Sequence, residues 1–406
     1  MRFMDSLRIC AALALIFLAG CGGGGSTSGG ATTVAPSTTT INGVAAKGLI
    51  KSGTIRIYAI PSSGDITQKR LLLPAITSDS NTGAFSANIG TQTGVIMIEA
   101  SGSYMDEASG TLKSIPDTSP LRAATVVSST GGIVTMAVTP FTELAVRTAL
   151  TNNGQQGSIL SESAITTANG LVTDLFPFNI LSDLPVEPSF INMNAASSAQ
   201  RDYTLSLATI SELANASTLN TVIEGYRTDL ANIKRLSPTS VANFNTALTA
   251  FLSDSVHNQT GIYSVTSGLV NVGYYTTVLK LNTSGQLATS NAIKGVQLTV
   301  TLPTGVSVKA DSAGIPLSGL VSASGVAGSG TTFDLSKYDA AANTLSLALI
   351  NDLGFGSGEF ATLKLTTSPN TPPPTVTNFS ISNVSVVSLG GLDITPNVQI
   401  SATIPQ

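Results

Sequence analysis

Tryptophan is absent from this chain and histidine occurs once. The two cysteines, Cys10 and Cys21, both lie close to the N-terminus. No pair of cysteines exists downstream to staple a fold, so the body of the chain must be stabilised by core burial, and several hundred residues suffice for that. The single histidine, His257, has no second His and no neighbouring Cys, so it cannot make a usual zinc site. A catalytic triad would need a Ser and an Asp brought to it by the fold, and no G-x-S-x-G elbow occurs. His257 therefore reads as a structural or surface residue. Charged residues make up 10% and the net charge is -4. That leaves no basic field to attract nucleic acid. Aromatics are only 5%. Sugar sites usually stack their ligand on exposed rings, so a carbohydrate platform would have to use Tyr or Phe, with Tyr274-Tyr275 as the available pair.

Glycine, serine and threonine are abundant, beside Val, Ile and Leu. That mixture suits β-rich exported proteins, whose turns use Gly and whose strands use Thr and Val. The length allows two or three domains of roughly 100–200 residues each. Over residues 41–138, short alternating runs separated by Gly, Asn and Asp predict an antiparallel sandwich. In Thr54-Ile55-Arg56-Ile57-Tyr58, the isoleucines fall on one face and Arg56 and Tyr58 on the other. Residues 46–53 read as a turn-rich connection. Asp79-Ser80-Asn81-Thr82-Gly83 reads as a turn. Asp79 and Asn81 imitate the first half of a calcium loop, but Gly83 falls where a ligand belongs and no Glu closes the series. They are the candidates for metal binding, although none is expected, nor any cofactor. Asp106-Glu107 is a second acidic pair and reads equally as a solvated loop.

The apolar period changes at residue 139. Thr139-Pro140 fits an N-cap followed by proline at the first helical position. Helices are expected over about 139–149, 161–175, 199–214, 219–236 and 237–252, each with an amphipathic stripe. Together they predict a small bundle over 139–257, with Tyr203 and Tyr226 at the rim of its core. Prolines 177, 185 and 188 make residues 176–188 irregular. Strand patterns return over 261–406, including 274–281, 296–302, 306–308, 345–350, 360–365 and 379–387. Glycines 354, 356 and 358 do not form a nucleotide loop, since Glu359 stands where a further Gly is needed and no helix follows. Thr371-Pro372-Pro373-Pro374 reads as a stiff spacer between strands.

The first forty residues carry the most specific signal. Arg2 and Arg8 precede an uncharged apolar run over residues 9–18, too short to span a bilayer. Leu18-Ala19-Gly20-Cys21 follows, and it resembles the lipobox of bacterial lipoprotein signal peptides. The resemblance implies cleavage before Cys21, with Leu18, Ala19 and Gly20 recognised by the signal peptidase. It also implies diacylglycerol on the Cys21 thiol and acylation of the new amine. Several acyl chains are what stable anchoring requires. Gly22, where an Asp would signal inner-membrane retention, favours the outer membrane by the same resemblance. The Gly/Ser/Thr stretch over 21–40 has little to bury and reads as a flexible tether with a reach of about 22–26 Å.

Two further resemblances concern the modules. The Gly43 start, the Ile55–Tyr58 strand and the Asp79–Phe85 turn resemble the carboxypeptidase-regulatory-like, prealbumin-type β-sandwich, usually a non-catalytic support. The Gly358–Leu365 segment, with the turn at Pro303-Thr304-Gly305-Val306, resembles the cohesin-like jelly-roll sandwich, which in that family binds a dockerin module through one sheet face. The expected fold is thus multidomain α+β: a leader (1–20), a tether (21–40), an antiparallel Ig/prealbumin-like sandwich (41–138), a helical domain (139–257) and a cohesin-like sandwich (261–406). The expected role is a lipid-anchored envelope protein that binds, adheres or scaffolds without catalysis, with a protein or polysaccharide partner and no nucleic acid. One alternative is a carbohydrate-binding lipoprotein. Another is an envelope hydrolase, although Asp106, Glu107, Asp174, Asp183 and Glu187 form no recognisable catalytic pair.

Overall fold

The structure is a computed structural model that describes residues 37–152, 155–289 and 292–405. It is an α+β protein in which β-sandwich predominates, with several sheets and six helices among the described residues. The first nine strands are β1 (Thr39–Ala45), β2 (Thr54–Ala59), β3 (Arg70–Leu71), β4 (Ile76–Thr77), β5 (Ala84–Asn88), β6 (Gly94–Met105), β7 (Leu112–Ile115), β8 (Leu121–Val127) and β9 (Gly132–Val138). They form two sheets, one ordered β5-β1-β9 and the other built around β2 and β6. Ile41, Ile55, Ile57, Ile96 and Ile98 fill the space between them.

Two expectations change here. The module is not wholly antiparallel, because β1 runs parallel to β9 from Thr39↔Gly132 to Ala45↔Val138. A parallel pair needs a long crossover, and the whole intervening module supplies it. The tether also ends earlier than residue 40. Thr39 and Thr40 are already strand residues, and the Thr39 hydroxyl accepts the Gly131 N–H at 3.0 Å.

β6 explains its own sequence. Val95 and Met97 face helices on one side, while Ile96 and Ile98 face the opposite sheet. A strand covered on both faces reads as an unbroken apolar run.

The helices are α1 (Pro140–Ala149), α2 (Glu162–Leu175), α3 (Phe190–Ala195), α4 (Ser198–Asn215), α5 (Leu219–Ile233) and α6 (Pro238–Ser253). A short hairpin, β10 (Thr151–Asn152) with β11 (Gln155–Gln156), follows α1. Thr139 caps α1 through its hydroxyl with Pro140 in the first turn, and Ser237-Pro238 opens α6 in the same way. Helix α5 stops at Lys234, whose φ of 55° is left-handed, rather than at residue 236.

Helix α4 departs furthest from expectation. Instead of one apolar stripe it is buried all round from Asp202 to Ser211. Its hydroxyls are tolerated there because they bond back along the helix, as Thr209 Oγ1 does to the Leu205 carbonyl at 2.8 Å. Tyr203 is not at the rim but fully buried, stacked on Phe178 at 4.2 Å and edge-on to Phe141. Its hydroxyl donates to the Ile180 carbonyl at 3.0 Å and meets the Thr139 hydroxyl at 2.6 Å.

The helices share one core with Val44, Ala46 and Leu49 of the first module. Leu269 and Val272 also pack in that core, so the chain leaves it near Gly273 and not at residue 261. The remaining strands are β12 (Tyr275–Gly285), β13 (Ile293–Thr301), β14 (Val306–Ser307), β15 (Val321–Ala323), β16 (Thr331–Asp339), β17 (Thr344–Phe355), β18 (Gly358–Thr367), β19 (Ser380–Ser388) and β20 (Val398–Thr403). They make two antiparallel sheets, β14-β18-β12-β20 with β15 on β18, and β16-β17-β13-β19. Their core is separate, and Leu279, Leu298, Leu347, Phe360 and Leu363 are at its centre.

Candidate functional site

The densest polar chemistry lies where the first module meets α4. After β1 the chain makes a tight turn, Ala46-Lys47-Gly48-Leu49, closed by a bridge between Ala46 and Leu49. Gly48 adopts φ +65°, and a Cβ there would sit 2.1 Å from the Met105 carbonyl oxygen, so no larger residue fits. The turn drives the Lys47 side chain fully inside. Opposite it, β6 and β7 form a hairpin whose loop opens with Asp106 and Glu107.

Lys47 Nζ donates to Glu107 Oε2 at 3.4 Å and to Ser211 Oγ on α4, and it lies 3.7 Å from Asp106 Oδ2. The Tyr104 ring lies 5.4 Å from the ammonium. Glu107 is held at both oxygens: Oε1 accepts the Gly48 N–H at 2.6 Å and Oε2 accepts the Ser211 hydroxyl at 2.5 Å. Asp106 Oδ1 accepts the Ser109 N–H at 3.1 Å and hydroxyl at 2.8 Å, with Lys113 Nζ at 3.2 Å. Asp106 Oδ2 is buried without a hydrogen-bond donor. Burial alone would push the Asp106 carboxyl up, but Lys47, Ser109 and Lys113 together hold it below the usual carboxylate value. Burial pushes the Tyr104 phenol up, and the two carboxylates push it further.

A cavity of about 710 Å³ opens beside this cluster, lined by Tyr104, Met105, Leu112, Pro188, Val256 and His257 among others. Its rim is apolar and exposed, with Met105 at 57%, Leu112 at 70% and Val256 at 71%. His257 Nδ1 pairs with Asp254 Oδ2 at 2.7 Å, and its ring packs over Gly110 of the hairpin loop. That hydrogen bond, with the N–H groups of His257 and Val256, holds the Asp254 carboxyl below its usual value.

A second cleft, about 430 Å³, is lined by Lys69, Glu99, Asp117, Arg122, Glu143 and Arg147. Each charge there meets its opposite within the protein. Arg122 grips Glu143 with two bonds, at 2.7 and 2.9 Å, and Arg147 meets the same carboxylate at 2.7 Å. Arg56, with the Ser101 hydroxyl, lowers the Asp117 carboxyl to about 2.

The residues singled out from sequence fall in different places. Leu18, Ala19, Gly20 and Cys21 lie outside the described residues. Asp79 and Asn81 lie in a turn, where Asp79 Oδ1 accepts the N–H groups of Asn81 and Thr82 at 2.9 and 2.8 Å. No group of three His, Cys, Asp or Glu among the described residues could hold a metal ion. Asp106 and Glu107 are buried rather than solvated: Lys47 lies against both, the α4 hydroxyl bonds Glu107, and Ser109 and Lys113 meet one oxygen of Asp106. Asp174, Asp183 and Glu187 are engaged separately: burial pushes the Asp174 carboxyl up, Asp183 accepts the Asn179 N–H at 2.7 Å, and Glu187 meets Lys51 at 2.7 Å. The Tyr275 ring is half-buried under the Arg235 guanidinium at 4.7 Å, so one face is already taken. Its hydroxyl donates to the Thr371 carbonyl at 3.3 Å, just before the proline run. Lys47 and Ser211, which complete the cluster, carry no motif that marks them in the sequence. The pointer to Lys47 was the glycine after it, which signals a turn whose preceding side chain must go somewhere.

No family model matches the chain, and no curated protein matches it. Among solved structures, a non-cellulosomal cohesin from the hyperthermophilic archaeon Archaeoglobus fulgidus is matched at 14% identity with a TM-score of 0.19. The match covers 26% of this chain and 65% of that one, less than two thirds of the cohesin.

Proposed function

We propose that the chain is a lipid-anchored protein of the bacterial envelope, held through Cys21, favouring the outer membrane, and serving binding or scaffolding rather than catalysis. The observation that carries this reading is Leu18-Ala19-Gly20-Cys21 in register behind a basic start and a short apolar run, with a Gly/Ser/Thr stretch after it. No helix among the described residues is long and apolar enough to cross a membrane. On this reading the first module is a prealbumin-type support and the C-terminal sandwich is cohesin-like, with the Gly358–Leu365 segment in β18. The apolar-rimmed cavity at Tyr104 and Val256 is the binding surface, for a protein or polysaccharide partner.

The test is Cys21→Ser. The native protein should fractionate with membranes and incorporate labelled palmitate, and the variant should do neither. A variant that stays in the membrane fraction, beside a native protein that takes up no palmitate, would end the proposal.

A further inference from the structure

The cluster at Lys47 has the composition of a reaction centre rather than of an ordinary ion pair. An amine and a carboxyl are buried 3.7 Å apart, and the lysine is wholly shielded from water. Burying two such ions is costly until their mutual attraction offsets the lost hydration. A product that is neutral at both ends removes that cost.

The two neighbouring carboxylates are not equivalent. Glu107 is fixed at both oxygens by donors, which sets its Oε2 against Lys47 Nζ at 3.4 Å, within reach of the ammonium protons. Asp106 is asymmetric. Its Oδ1 sits among Ser109 N–H, Ser109 Oγ and Lys113 Nζ, an arrangement that would hold developing negative charge. Its Oδ2, the oxygen facing Lys47, has no donor. One oxygen is thus polarised and the other is free to leave.

We infer that Lys47 Nζ and Asp106 Cγ become joined by an amide bond within the folded chain. Glu107 Oε2 takes a proton from the ammonium, and the freed amine pair attacks Asp106 Cγ. The carbonyl electrons move onto Oδ1, where Ser109 and Lys113 hold them. When they return, the Cγ–Oδ2 bond breaks. Oδ2 departs as water, carrying the two protons that Nζ has lost, each passed through Glu107. The amide nitrogen keeps one proton, Glu107 ends ionised as it began, and the charges of Lys47 and Asp106 disappear together. No oxidant, reductant or cofactor takes part. Glu107 touches the reacting nitrogen and is the catalytic residue of this step. Lys113 and Ser109 are its electrostatic support. The bond would tie the first turn of the sandwich to the β6–β7 hairpin, in a chain whose body has no cysteine pair to do so.

The experiment is proteolytic digestion and tandem mass spectrometry of the purified full-length protein. The expected product is one branched peptide joining the segments of Lys47 and Asp106, lighter than their sum by one water. Glu107→Gln, with its far-UV circular dichroism unchanged, should yield the two segments unbranched at full mass. Separate linear peptides from the native protein would overturn the inference, and so would a branch at Glu107 or a Glu107→Gln protein that still forms the bond.

Discussion

The two halves of the described chain bury different things. Every buried charged side chain among the described residues belongs to the first module or the helices: Lys47, Glu99, Asp106, Glu107, Glu143, Asp202 and Arg227. The C-terminal sandwich buries polar groups too, but they are uncharged: Thr277, Thr283, Asn351 and Thr367. The difference follows from construction. The sandwich closes on itself with two antiparallel sheets and one core, so its apolar faces need only each other. The first module must instead dock helices onto a sheet and a turn, and irregular junctions leave backbone and polar side chains that only charged partners reach. Buried charges are weak as net stabilisers but severe when broken. The junction is therefore the more specific half, and the more fragile.

Three variants press on that contrast. Lys47→Met removes the cation, or the amide formed from it, and leaves Glu107 and Asp106 short of a partner inside the protein. A loss of about 3–5 kcal/mol is expected from urea denaturation, enough to unfold the junction of a marginal variant. A loss below about 1 kcal/mol would mean that the cluster is solvated and that the two halves do not differ.

Asp202→Asn should act through pH. Burial raises the Asp202 carboxyl above its ordinary value, against the Thr266 hydroxyl that pulls it down. The folded chain then holds a proton that the unfolded chain has already released, so stability falls as pH rises from the ordinary carboxylate range through the folded-state value. The asparagine carries no such proton, and the urea midpoint should lose that part of its slope. An unchanged slope would place the titration elsewhere.

The smallest effect should come from the sandwich. Thr277 and Thr367 share a hydroxyl contact at 2.7 Å. Replacing both with valine keeps the shape and removes both polar groups, so the change should stay within about 1 kcal/mol by thermal or urea unfolding. A large loss would show that the sandwich depends on its polar pairs as the junction does.

What could be read from the sequence divides along the same line. Thr139-Pro140 and Ser237-Pro238 announce helix starts, because capping is chemistry between neighbours in the chain. Ile55 and Ile57 announce a half-buried strand for the same reason, and β18 is visible where Leu363 and Leu365 alternate with Thr362 and Lys364. The junction was not legible. Lys47 and Glu107 are 60 residues apart, and Ser211 is 164 from Lys47. Nothing local to Asp106-Glu107 distinguishes an acidic loop facing water from one facing an amine. The all-round burial of α4 was hidden by its hydroxyls, which look like a polar face but bond to their own helix. The parallel pairing of β1 with β9 depends on where two distant strands meet.

One consequence of the first sheet concerns mechanical load. β1 lies between β5 and β9, hydrogen-bonded on both sides. A pull on its N-terminal end along the strand axis must shear two ladders together, rather than open one rung at a time. Past Ala45 the force meets Lys47 within two residues. If that side chain is bonded to Asp106, tension passes straight into the β6–β7 hairpin and the intervening strands are spared extension.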